Sequence, residues 1–83
     1  MKKYIVESPH SESDCAQVLS QVNAMGFILH YDWGCEAGNH TGWAIIESDS
    51  EIEALMTVPA FIRHKAKATK LNKYTPEDFK IKQ

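Results

Sequence analysis

The 83-residue sequence predicts an α+β fold with elements in the order β-α-β-β-α-β, and three observations carry that prediction. Tyr4 and Val6 alternate with Lys3, Ile5 and Glu7 near the N-terminus, an apolar stripe at helical spacing follows Ser11, and two strand-like runs flank Gly38-Asn39. Apolar residues at 43% and charged residues at 24% suit a packed core and argue against disorder. A chain of this length buries roughly 60 to 65% of its unfolded surface, enough for one two-layer core, so residues 1–83 are expected to form a single domain.

The first strand spans Lys2 to Ser8 and ends at Pro9-His10-Ser11. Ser11 with Asp14 three residues later resembles a capping box, which places a helix start there. Cys15, Val18, Leu19, Val22 and Met25 then share one helical face, and Gly26 stands where a helix C-cap belongs. The second and third strands cover about residues 28 to 35 and 41 to 48. Asp49 or Ser50 suits the N-cap of a second short helix, with Ile52, Leu55 and Met56 as its apolar stripe and Pro59 as its stop. Lys65 to Tyr74 is a weakly patterned, lysine-rich strand of the kind an exposed sheet edge tolerates. Thr75-Pro76-Glu77-Asp78 has the form of a capped last turn of helix.

Six elements in this order match a ferredoxin-like βαββαβ arrangement: a four-stranded antiparallel sheet, order 4-1-3-2, with two helices on one face. Directly opposed hairpin residues point to the same side, so register sorts the side chains. Leu29, Tyr31, Trp33 and Cys35 fall with Gly42, Ala44 and Ile46 on the covered face, whereas His30, Asp32 and Gly34 fall with Thr41, Trp43, Ile45 and Glu47 on the open one. If Tyr4 and Val6 enter the core, Ile5 and Glu7 join the open face. That face is too apolar for water and too charged for a simple core, so a homodimer packed through it is expected.

The segment from Asp32 to Ala44, together with Val58-Pro-Ala-Phe-Ile-Arg63 and Lys73-Tyr-Thr-Pro-Glu77, resembles small uncharacterised bacterial proteins of the dimeric α+β barrel superfamily over nearly the whole chain. The resemblance implies a dimeric barrel. Relatives there include muconolactone isomerase-like enzymes, cofactor-free monooxygenases and a nickel-binding group, yet no motif here is specific enough to bring their catalytic residues across.

A net charge of −2 provides no footprint for nucleic acid. The apolar run at the N-terminus is too short for a signal peptide or membrane span, so a cytoplasmic location without membrane association is expected, where Cys15 and Cys35 stay reduced, a single disulfide between them being the alternative.

Two candidate sites follow. The hairpin turn has two residues, Gly38-Asn39, or four, Glu36 to Asn39; with four, His40 and Cys35 face each other and can hold nickel, zinc or copper, the bland alternative being a packed cysteine and a turn-capping histidine. His10, His30 and His64 add imidazoles elsewhere in the chain. On the open face, His30, Glu7 and Glu47 are candidate acid and base groups, and Trp43, Asp32 and Ile45 candidate walls for a small aromatic or lactone-like ligand. The alternative there pairs the carboxylates with Arg63, Lys65 or Lys67. Three functions remain open: a homodimer binding a small ligand or metal, a cofactor-independent isomerase or monooxygenase-like enzyme, and an interaction module.

Overall fold

The alternating N-terminal run forms the strand β1 (Lys2–Pro9), which is central because both flanks pair with it. The computed structural model describes residues 1–81. β2 (Tyr31–Trp33), β3 (Thr41–Ser48) and β4 (Lys67–Leu71) complete one antiparallel sheet in the order β2-β3-β1-β4. That neighbour order is the expected 4-1-3-2 read from the opposite edge.

Among the described residues, three helices accompany the sheet: α1 (Cys15–Ala24), α2 (Glu51–Leu55) and α3 (Pro76–Ile81). The element order is therefore β-α-β-β-α-β-α, interspersed with 3-10 turns at Glu12–Asp14, Ile28–His30, Cys35–Ala37 and Ala60–Lys65. This replaces the ferredoxin-like βαββαβ expectation, and with it the barrel assembly drawn from that pattern. α3 is a seventh element because the Asp78 carboxylate accepts from the Thr75 amide at 2.7 Å and hydroxyl at 3.1 Å, while Pro76 presets the first helical turn.

The ends of α1 and α2 show why they stop where they do. Phe27 N–H donates to Val22 O and Gly26 N–H to Asn23 O, both at 3.0 Å, and Gly26 at φ 89° is the left-handed residue this Schellman termination requires. At α2, Ser50 Oγ accepts from the Glu53 amide and the Glu53 carboxylate accepts from the Asp49 amide, so each end of the turn is tied. Ser11 caps differently from expectation: its hydroxyl meets Ser13 Oγ, and a 3-10 turn precedes α1.

The core lies on one face of the sheet. Tyr4, Val6, Tyr31, Ala44, Ile46 and Ala68 meet Val18 and Val22 of α1, Ala54 of α2, and Val58 and Ile62 beyond it. Tyr31 donates to Thr57 Oγ1 at 2.7 Å, since the Thr57 proton is committed to Ala54 O. Burial pushes the Tyr31 phenol up, partly offset by the Thr57 hydroxyl.

Two apolar assignments made from the sequence change. Leu29 is 96% exposed, because Phe27 to His30 closes into a 3-10 turn, His30 N–H donating to Phe27 O, and β2 begins only at Tyr31. Ile52 and Met56 are also exposed; α2 is so short that only Ala54 is fully buried, with Leu55 partly buried against the core, and burial passes to Thr57 and Val58.

Candidate metal centre

Three chain segments converge at the end of the sheet where β1 stops. β1 pairs with β3 through Pro9 and Thr41, and His10 N–H then donates to His40 O at 3.0 Å, which sets the two histidines side by side. The 3-10 turn Glu12–Asp14 folds the chain back so that Cys15, the first residue of α1, returns to the same place.

The third segment is the β2–β3 connection. Gly34 N–H donates to Thr41 O, a 3-10 turn takes Cys35 through Ala37, and Gly38 at φ 89° reverses the chain. Gly34 has no room for a side chain: a Cβ there would lie 2.7 Å from Asn39 O and 2.9 Å from the Trp43 ring. The reversal leaves Cys35 beside His40.

The ligand atoms of His10, Cys15, Cys35 and His40 all lie within 4.8 Å of one another, so this group can hold a metal ion. Donors on a tetrahedral zinc, with Zn–S about 2.3 Å and Zn–N about 2.0 Å, stand roughly 3.3 to 3.8 Å apart. Cys35 Sγ and His10 Nε2 are already 3.5 Å apart, whereas the two sulfurs are closer than that set at 3.0 Å. Small side-chain rotations separate the sulfurs.

Hydrogen bonding prepares the donors. The Ser8 carbonyl at 3.2 Å can only accept, so His10 Nδ1 carries the proton and Nε2 presents its lone pair toward Cys35. Nδ1 of His40 is buried without a hydrogen-bond partner among the described residues, an arrangement a bound cation would relieve. Cys15 donates to Cys35 Sγ. Desolvation and the neighbouring Cys15 sulfur, through hydrogen bonding and charge, push the Cys35 thiol up to about 11, with Glu36 adding to the effect. Two thiolates with a divalent ion are jointly neutral, which suits a half-buried place walled by the Trp33 ring, 6.3 Å from His10.

Cys35 and His40, the expected metal pair, are thus brought together, and His10 and Cys15 join them. The sequence marks Cys15 as a helix-stripe residue and a reduced thiol, not as a ligand. A signal was present in the sequence: His10 and Cys15 form His-x4-Cys, and Cys35 and His40 repeat it in mirror image. His64 is exposed and stands outside the group.

The open-face candidates are dispersed by comparison. Trp43 lies half-buried on the uncovered face against Gly34, paired across the strands with Asp32 and Glu7. Glu7 sits 4.0 Å from Lys67. Glu47 is paired with Lys3, four residues along β1 from Glu7, or roughly 13 Å by strand rise. His30, edge-on to Phe27 at 5.7 Å, shares an open depression with Ile45, Lys3 and Glu47 but not with Glu7, Asp32 or Trp43.

No protein-family model, curated protein or solved structure matches the chain. Among the described residues, no helix is long and apolar enough to cross a membrane.

Proposed function

We propose that this chain is a metal-binding protein in which His10, Cys15, Cys35 and His40 hold one zinc-class divalent ion. The convergence of the four donors within 4.8 Å carries this reading. Two sulfurs and two imidazole nitrogens favour tetrahedral zinc over the octahedral oxygen sites of magnesium or calcium and over square-planar nickel. Four protein ligands leave no position for a substrate, so the ion acts as a clasp joining the end of β1, the start of α1 and the β2–β3 turn. Elemental analysis of untagged protein tests it: one equivalent of zinc is expected in the wild type and none in Cys35→Ala or His40→Ala. Wild-type protein that retains no zinc, nickel or copper after loading and desalting overturns it.

The uncovered sheet face favours a second, compatible reading. Trp43 and Ile5 are half-buried and Ile45 is 50% exposed, an apolar strip of the kind that marks contact with another molecule. Its occupant in this reading is a second copy of the chain. Light scattering at micromolar concentration should give a dimer that Ile45→Lys splits, and a wild-type monomer removes the reading.

A further inference from the structure

We propose that Cys15 and Cys35 are also a reversible disulfide pair, closed by hydrogen peroxide, and that the closed form cannot hold the metal. The exclusion of metal rests on the proposed function, whereas the disulfide itself does not.

The geometry behind this is the spacing of the sulfurs. At 3.0 Å they are nearer than two ligands of one zinc ion and about 1 Å from bonding distance, which side-chain rotation supplies. They come from rigid but different elements, the first turn of α1 and the 3-10 turn after β2, twenty positions apart in the chain. Both residues are only partly buried, so a small oxidant reaches them. Among the described residues no other cysteine is available, and each is the other's sole intramolecular partner.

The chemistry balances with the peroxide as oxidant. One cysteine sulfur attacks a peroxide oxygen; the O–O bond breaks, the departing oxygen leaves as water, and the sulfur becomes a sulfenic acid. The second sulfur attacks that sulfenic sulfur, the S–S bond forms, and the S–OH oxygen leaves as a second water with the remaining thiol proton. Two electrons pass from the cysteine pair to the peroxide. A dithiol reductant reverses the step by exchange, restoring both thiols. Each sulfur then has one lone-pair donor bound into S–S rather than a thiolate charge, so two of the four metal ligands are withdrawn together.

Full-length protein is treated with hydrogen peroxide in two arms, metal-free with chelator and zinc-loaded, then digested without reduction and mapped by mass spectrometry. The metal-free arm should lose two hydrogen masses per chain and yield one peptide pair linking Cys15 to Cys35. In the zinc arm, release of one zinc per disulfide should register with a chromophoric chelator and reverse on adding dithiothreitol. Sulfinic acids or chain-to-chain disulfides in place of the internal link overturn the pair, as does a link formed with zinc retained overturn the exclusion. A link in the metal-free arm with no zinc ever taken up would refute the metal reading and leave the disulfide standing. Cys15→Ser is expected to abolish the link and leave Cys35 open to adducts with a small thiol.

Discussion

The turn end of the sheet and its uncovered face both hold reactive side chains, but only the first gathers them. At the turn end, backbone hydrogen bonds from His10 to His40 and from Gly34 to Thr41 fix two strand ends, and α1 starts against them, so four donors meet. On the uncovered face, strand pairing holds Glu7 and Asp32 apart on either side of Trp43 and puts Glu47 in a different row, and cross-strand neighbours such as Lys67 and Lys3 are within reach of the glutamates. Convergence needs chain reversals; a regular ladder keeps residues at fixed intervals. Site-forming capacity here follows the turns.

The largest effects are expected at the four candidate ligands. Replacing Cys15 or Cys35 with Ala should lower zinc affinity by more than about 100-fold, beyond the usual cost of losing an outer-shell contact, while His30→Ala and Glu47→Gln leave it unchanged. Competition with a chromophoric chelator measures both. Equal losses from the two groups of variants would erase the distinction.

Zinc should also stabilise the fold. At a free concentration one hundred times its Kd the gain is about 2.7 kcal/mol, read as a rise in Tm that the Cys35→Ala protein lacks. A smaller effect belongs to Gly42→Ala, whose new Cβ would come 2.7 Å from the Trp33 ring; overpacking of this kind costs roughly 1 to 3 kcal/mol in denaturant titration. Since Trp33 also walls the metal centre, zinc affinity should fall with it, whereas Trp43→Phe on the other face should alter neither strongly.

With its metal-free thiol held up at about 11, Cys35 is protonated at neutral pH and must release that proton to bind an ion. Affinity therefore rises with pH, about tenfold per unit for each thiol proton displaced, and levels off as the thiol titrates. Zinc affinity that is flat between mildly acidic and mildly alkaline pH would show that Cys35 is not a ligand.

Much of the sheet was legible in the chain. The alternation of β1, the bounds of β3 and the parity that sets Tyr31 with Ala44 and Asp32 with Trp43 all follow from period-two patterning around Gly38. The segment Phe27-Ile28-Leu29 misleads because an apolar run has the same composition in a strand or a 3-10 turn, and the choice is made by Gly26 just upstream. α2 misleads for a related reason: its helical stripe presumes more turns than it has, and Ile52 ends up 75% exposed. Half of the candidate metal site was visible as Cys35 and His40, which are local to one turn. The other half depends on β1 lying beside β3, a long-range register that no pattern within the hairpin encodes.

That register also bears on how quickly an ion could come and go. Each arm, His10 to Cys15 and Cys35 to His40, is a short local clip, and the arms face one another only while the final rung between His10 and His40 is closed. Departure of the ion is thereby linked to fraying of a strand end, an opening that small domains undergo far more often than complete unfolding. Exchange should accordingly follow the breathing of β1 and be much faster than the lifetime of the folded chain.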